Sequence, residues 1–304
     1  MSNKKFNPFP YIELIHRQFQ LLGNKKRSQN QTAYLKNILK FHGLSTGDSR
    51  KYFLQFHNEK LIELSLINKL QLGFELLKSD YGEEKVSGIQ LISLYCKIKY
   101  ISINDEKNTI HPLFILKNIQ KLFELDFLHD WATVDLLSSH INKKLILIYP
   151  DECIKFIEQW KYLNQIPWIQ RSSCVSCLIL TKNSKIKYID NIYSIIDHCI
   201  LNKYRFVQLG VGWLLRELTI NYRERTIDYI EKNYHHLIRE GLRYALEKLD
   251  KDERNRLMKF QKTDDNQDVL DKKKRKLNEL KENDDVDDDD DSKVNRKKKR
   301  VVKK

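Results

Sequence analysis

Three short stretches of the sequence carry side chains that could do chemistry together. In HDWATVDLL, the indole of Trp131 precedes the carboxylate of Asp135 by four residues, which places both on one face of a helix. In IPWIQRSSC, Arg171 follows Trp168 by three residues and lies near a helix start marked by Pro167. A carboxylate in a partly desolvated site stabilises a developing positive charge and can position a water molecule. Indole faces add to that stabilisation through the ring quadrupole.

The third stretch, VGWLLRELT, sets Trp213 three residues before Arg216 and four before Glu217. Each of these side chains also has an ordinary structural interpretation. A tryptophan on a helix belongs to the core more often than to a catalytic site. Asp135 could pair with a surface lysine, and Arg216 and Glu217 could simply be solvated. No single stretch is therefore specific on its own.

Helices must position these residues, because nearly every segment from Phe9 to about Met258 has apolar residues at spacings of three and four. The chain has nine glycines and five prolines, too few for the turns of an all-β fold. About a dozen helices fit this length, so helix pairs recur about every 40 residues, the period of HEAT-like repeats. The sequence predicts an all-α solenoid of about six HEAT-like helix pairs. Its long concave face would suit a rod-shaped ligand such as duplex DNA.

The charge of the chain is compatible with an anionic partner. Its 304 residues include 55 Lys and Arg against 41 Asp and Glu, a net charge of +14. Of this surplus, +10 falls within residues 1–250. A body with this charge can neutralise phosphates and release their counterions, although a lysine-rich solvated surface explains the charge equally well.

The cysteines and the apolar runs bear on the compartment. Five cysteines are an odd and sparse set in a long chain, which favours a reducing environment. The start MSNKKFNPFP lacks the apolar segment of a signal peptide, and no apolar run approaches the roughly 18 residues of a membrane span. We expect a soluble intracellular protein.

Beyond a folded body at 8–258, blocks of like charge replace the helical periodicity. We assign 259–304 to a disordered tail, because Phe260 is its one aromatic residue and cannot support a core. Basic clusters at 272–276 and 296–304 flank an acidic block, a pattern that favours nuclear localisation signals over a plain solvating tail. We expect a nuclear protein that uses these clusters to contact the nuclear import machinery.

Taken in order, the motifs resemble those of the AlkD-like DNA alkylation repair glycosylases. Residues 33–51, AYLKNILKFHGLSTGDSRK, are similar to the opening of that family. WATVD, WIQRSSC and RFVQLGVGWLLRE are similar to its Trp-x-x-x-Asp, Trp-x-x-Arg and Gly-Trp-x-x-Arg-Glu signatures. REGLRYALEKL resembles its closing helix, so the resemblance extends from about residue 8 to residue 250. Several motifs in the family's order are far more specific than any one of them.

The resemblance implies a C-shaped stack of HEAT-like helix pairs that excises alkylated purines from duplex DNA. It implies that Asp135 is the catalytic carboxylate. It also implies that Trp131 and Trp213 pack against the deoxyribose of the damaged nucleotide, without a need to flip the base into a pocket. The DNA-binding residues that it implies are Arg171, Arg216 and Tyr34.

The chemistry of the substrate agrees with a lone carboxylate. An N3- or N7-alkylated purine carries positive charge, so it leaves readily and needs little general-acid help. What remains is the oxocarbenium-like sugar that forms as the bond to C1′ breaks. We therefore expect an alkylpurine DNA N-glycosylase of base excision repair that releases 3-methyladenine or 7-methylguanine. The alternative is a non-catalytic HEAT-like scaffold that binds DNA or protein, because a fold alone does not establish a function.

One departure from the family's pattern is Ala132, which stands where we expect a polar or acidic residue. We expect Ala132 to face away from Asp135 and to matter little. Cys174 and Cys177 have the spacing of half a zinc site, but no second pair follows, and the histidines lack partners at ligand spacing. We expect no metal and no cofactor, and a monomer that acts on duplex DNA containing alkylated bases.

Overall fold

The computed structural model describes residues 6–104, 106–182 and 187–260. Within these ranges the chain forms α-helices and no β-strand, and residues 251–260 are also helical. The helices are α1 (Phe9–Leu22), α2 (Lys25–Tyr34), α3 (Thr46–Phe56), α4 (Leu66–Leu76), α5 (Gly82–Tyr95), α6 (Pro112–Glu124), α7 (Trp131–Leu137), α8 (Lys143–Ile148), α9 (Pro150–Gln159), α10 (Pro167–Cys177), α11 (Ile189–Cys199), α12 (Arg205–Asn221), α13 (Arg223–Asn233) and α14 (Arg239–Ala245).

The helices stack in two rows. In the first row α3 packs on α5, α5 on α7, α7 on α10, α10 on α12 and α12 on α14. In the second row α1 packs on α4, α6 on α9 and α9 on α11. The rings of Phe74 and Phe114 join α4 to α6, and those of Tyr193 and Tyr229 join α11 to α13. The chain alternates between the rows in six successive helix pairs, so the predicted all-α solenoid is confirmed.

Helix starts in this chain follow from local sequence. Several helices are preceded by a side chain that accepts a hydrogen bond from a backbone N–H of the first turn, which is the role of an N-cap. Others begin with proline, whose missing N–H is not needed at the first helical position. The N-cap residues include Asn24, Ser45, Ser65 and Asp130, and the prolines are Pro112, Pro150 and Pro167.

The helix that carries the first chemical motif is continuous from residue 131 to residue 148. α7 passes into a π-helical turn at Ser138–Asn142 and then into α8. The hydroxyl of Ser138 lies 2.8 Å from that of Ser172, and the side-chain amide of Asn142 donates to Ser176 at 3.0 Å. Such turns occur often at functional sites. This buried polar seam holds α7 in register with α10.

The apolar core is divided at α10 into two clusters. The first runs from Ile15 to Ile169 and the second from Cys174 to Leu257. In the second cluster, α12 and α14 approach each other closely at two glycines. A Cβ on Gly212 would lie 2.5 Å from the carbonyl oxygen of Gly241, so a larger side chain there would force the two helices apart.

The described part of the chain ends at Phe260, which we assigned to the tail and which packs against the second apolar cluster. Leu257 is fully buried, and the ring of Phe260 lies 5.3 Å from that of Tyr234. The expectation that Phe260 cannot contribute to a core is wrong, because residues 251–260 form a helix that carries Leu257 and Phe260 on one face. Residues 261–304, with both basic clusters, lie outside the described residues. Among the described residues, we find no helix that could cross a membrane.

Candidate functional site

An open cavity of about 550 Å³ lies on the first row of helices. Its walls come from α7 and the π-helical turn, from the end of α10 and the residues after it, and from α12. The lining residues are Trp131, Ala132, Asp135, Leu136, Ser139, Lys143, Val175, Ser176, Leu178, Ile179, Lys182, Trp213, Arg216 and Glu217. The cavity therefore brings together both tryptophans and the carboxylate that the sequence singled out.

Asp135 is held by both of its carboxylate oxygens. Arg171 on α10 donates from Nε to Oδ1 at 2.9 Å and from Nη2 to Oδ2 at 2.8 Å. The remaining terminal nitrogen of Arg171 donates to the backbone carbonyl of Phe206 at 2.7 Å. The Arg171 side chain is 7% exposed and that of Asp135 is 20% exposed. Such a bidentate pair fixes the orientation of the carboxylate.

Two effects of opposite sign act on the ionisation of Asp135. Burial raises the pKa of the Asp135 carboxyl above its ordinary value, and the hydrogen bonds and charge of Arg171 oppose that rise. Because the guanidinium binds the ionised form through two hydrogen bonds, we infer that Asp135 is a carboxylate at neutral pH. It is then a fixed negative charge in a partly desolvated wall.

The aromatic side chains of the site are in contact with further tyrosines. The ring of Tyr34, at the end of α2, lies edge-on to the indole of Trp131 with centroids 5.8 Å apart, and Tyr34 is 72% exposed. Across the cavity the indole of Trp213 lies 6.4 Å from the ring of Tyr244 on α14. Trp168, in contrast, occupies a core position: it is 7% exposed and its indole packs on the ring of Phe206.

Arg216 lines the cavity but is engaged by other side chains. Its Nη1 donates to Glu247 at 2.6 Å and its Nη2 to Glu217 at 2.9 Å. Its guanidinium also lies 4.6 Å from the centre of the Tyr244 ring. Both arginines that the sequence singled out for DNA binding thus form ion pairs within the protein.

The structure corrects one expectation and adds residues that sequence reasoning missed. Ala132 lines the same cavity as Asp135, because residues three apart on a helix share a face.

Lys143 and Lys182 also line the cavity, and within the described ranges neither forms an ion pair. A spacing of four from Trp131 through Asp135 and Ser139 to Lys143 is the sequence signal that could have found this lysine.

The cysteine pair that has zinc-like spacing is fully buried. Cys174 and Cys177 are both 0% exposed within the second apolar cluster. Burial raises the pKa of the Cys177 thiol to about 12, and a metal ligand must be a thiolate. These thiols act as small apolar side chains.

Comparison with known proteins decides the family. The family model for DNA alkylation repair enzymes matches residues 15–249. The chain belongs to the DNA alkylation repair enzyme family. The matched range contains every residue that lines the cavity, and membership of the family supports a role in DNA repair.

One solved structure extends the comparison to the fold. A predicted DNA alkylation repair enzyme from Enterococcus faecalis has a similar fold, with a TM-score of 0.61 and 16% sequence identity. The likeness covers 75% of this chain and 97% of that chain. No curated protein matches the sequence.

Proposed function

We propose that this member of the DNA alkylation repair family is an N-glycosylase that hydrolyses the bond between deoxyribose and a cationic N3- or N7-alkylpurine in duplex DNA. The observation that carries the proposal is the cavity, in which Trp131 and Asp135 of α7 meet Trp213 of α12. A carboxylate between aromatic faces suits a sugar that becomes positively charged in the transition state.

Asp135 has two tasks in this mechanism. As the bond to C1′ lengthens, its negative charge stabilises the oxocarbenium-like sugar. It also orients the water that attacks C1′ and accepts the proton that this water loses. Arg171 is a positioning residue, since it holds both carboxylate oxygens and leaves their remaining lone pairs for the substrate and water.

The carboxyl groups of the cavity wall do not supply a proton to the leaving base, and this favours one class of substrate. The acidic side chains that line it are Asp135 and Glu217. Burial acts to raise the pKa of Glu217, but Lys248 and Arg216 outweigh it and hold the pKa below its ordinary value. With both carboxyls ionised, neither can protonate the leaving base, so the proposed substrate is a base that already carries positive charge.

The substrate choice can be tested with two duplexes that differ in the charge of one base. We expect release of 7-methylguanine, which is cationic, and no release of O6-methylguanine, which carries the same methyl group on a neutral base. Equal release of the two bases would contradict the requirement for a base that already carries positive charge, and release of neither base would contradict the glycosylase itself.

We predict that Lys143 and Lys182 supply phosphate contacts that the paired arginines do not. Replacing either lysine with glutamine should weaken binding to duplex DNA and lower the slope of log affinity against log salt by about one. Fluorescence anisotropy at several salt concentrations measures this slope. Lys155→Gln on α9, in the second row, is the matched control and should leave the slope unchanged. An unchanged slope in both cavity variants would overturn the assignment.

We further propose that the protein works as a monomer in the nucleus, imported through 272–276 and 296–304. A fluorescent fusion lacking 262–304 should spread evenly between nucleus and cytoplasm, whereas the full-length fusion should concentrate in nuclei. If the shortened fusion still concentrates there, the clusters are not the import signal.

The alternative function is a non-catalytic HEAT-like scaffold that binds DNA or protein. It would use the same first row of helices together with Lys143 and Lys182, and it would not need the carboxylate of Asp135. The two functions separate on one result, because a scaffold binds duplex DNA without releasing any base.

A further inference from the structure

A second cluster of chemically active side chains lies where α1 and the loop before α3 meet the start of α5. The Nδ1 of His16 lies 2.7 Å, and the Nε2 of His42 lies 2.8 Å, from the same oxygen of Glu84. The three ligand-type atoms all lie within 4.8 Å of one another. None of these residues lines the cavity. They come from distant positions in the sequence, so only the fold brings them together.

Two neighbouring carboxylates are buried here, and among the described residues no lysine or arginine pairs with them. Glu83 and Glu84 are 5% and 2% exposed. Glu83 is compensated by the backbone, because it accepts N–H groups from residues 42–44 at 3.1, 2.9 and 3.1 Å. Glu84 accepts the Ser79 hydroxyl at 2.6 Å and otherwise faces the two imidazoles. A buried charge is usually paired or bound to a metal ion, and the groups that face the second carboxylate, Glu84, are two imidazoles, which are themselves metal ligands.

We propose that His16, His42 and Glu84 form a binding site for a divalent transition-metal ion, with zinc the best fit to two nitrogens and one oxygen. The fourth position of the ion faces solvent beside His16, whose side chain is 36% exposed. The nitrogens that bind the ion are those that now donate to Glu84, so on binding each gives up its proton and the imidazole keeps a proton on its other nitrogen.

The geometry requires a small adjustment. Bonds of the usual zinc length place ligand atoms roughly 3.3 Å apart, which is wider than the 2.7 and 2.8 Å observed. His16 can make the outward movement because it is the half-exposed member of the set. His42 cannot, since its ring stacks on Tyr81 with centroids 4.1 Å apart. We therefore expect His42 and Glu84 to stay in place and His16 to move when the site binds an ion.

Glu84 is the anchored member of the set, because Ser79 donates a hydrogen bond to its second carboxylate oxygen at 2.6 Å. A bound ion would link α1 to α5 through the loop that carries His42, so its role is to stabilise the first helix pairs.

Calorimetric titration of the metal-free full chain with Zn²⁺ tests the proposal. We expect one equivalent to bind at this site, and the Tm to rise by about 5–10 °C at a hundredfold excess over Kd. His16→Ala should abolish this equivalent while disturbing little of the core. His235→Ala is the control. It removes an exposed histidine that is distant in sequence from the proposed ligands, and it should leave the binding of one zinc ion intact.

Cobalt supplies a readout that does not depend on stability. Co²⁺ bound in place of zinc should give visible absorption bands of a four-coordinate ion in the wild-type chain and in His235→Ala. Those bands should be missing from His16→Ala and from Glu84→Gln. No stoichiometric binding by the wild type, or binding and bands that survive both ligand substitutions, would overturn the proposal.

Discussion

Asp135→Asn is expected to lower the rate of base release from alkylated duplex DNA by about 100- to 1,000-fold. The substitution keeps the size of the side chain but removes the charge that stabilises the developing oxocarbenium-like sugar. Single-turnover kinetics with protein in excess measures the chemical step without interference from product release. Binding of the same duplex should be unchanged or tighter, because the variant removes a negative charge facing a polyanion.

Asp126→Asn is a matched control for that experiment. Asp126 has an exposed side chain and a left-handed backbone with φ of 57°, a conformation that asparagine adopts as readily as aspartate. This variant should release base at the wild-type rate. If Asp135→Asn also kept the full rate, the carboxylate would have no part in the reaction.

Arg171→Gln is expected to lower the free energy of unfolding by about 3–5 kcal/mol, because it leaves a largely buried carboxylate without its partner. Urea denaturation at neutral pH measures the loss. Without the guanidinium, burial and the negative charge of Asp130 act on Asp135 unopposed by Arg171, so the pKa of Asp135 rises further. The unpaired charge exists only above that raised pKa, so the loss of stability should shrink as the pH falls through it. Adding Asp135→Asn to this variant should restore part of the stability.

Arg205→Gln separates burial from geometry. Arg205 makes the same two-fold contact with Glu240 that Arg171 makes with Asp135, but these side chains are 52% and 36% exposed. Water and salt screen such a pair, so the loss should stay below about 1 kcal/mol. Equal losses for Arg171→Gln and Arg205→Gln would show that burial of the Asp135 pair does not matter.

The local part of the site can be predicted from sequence because it follows the helical period. Trp131 and Asp135 share a face, and so do Trp213 and Arg216, since residues three or four apart on a helix are neighbours. The solenoid follows from the same period repeated along the chain. In the structure the first pair lies on α7 and the second on α12. Both helices belong to the first row, and both pairs line the same cavity.

The partners of the charged residues could not be predicted, because they come from other helices. Arg171 and Asp135 are 36 residues apart and meet only because α10 packs on α7. Glu247, which pairs with Arg216, is 31 residues away from it in the sequence, after α13 and α14. His16 and Glu84 are 68 residues apart, so no ligand spacing in the sequence points to them. Periodicity indicates which face a side chain occupies but not which side chain it meets.

Base release from duplex DNA methylated at N3 and N7 of purines tests the central claim most directly. The wild-type chain is incubated with this duplex and with unmethylated duplex, and the free bases are separated and identified by chromatography. We predict that 3-methyladenine or 7-methylguanine appears with time from the methylated duplex, and that no base appears from the other. If the protein binds both duplexes and releases no base from either, it is a DNA-binding scaffold and the glycosylase mechanism is wrong.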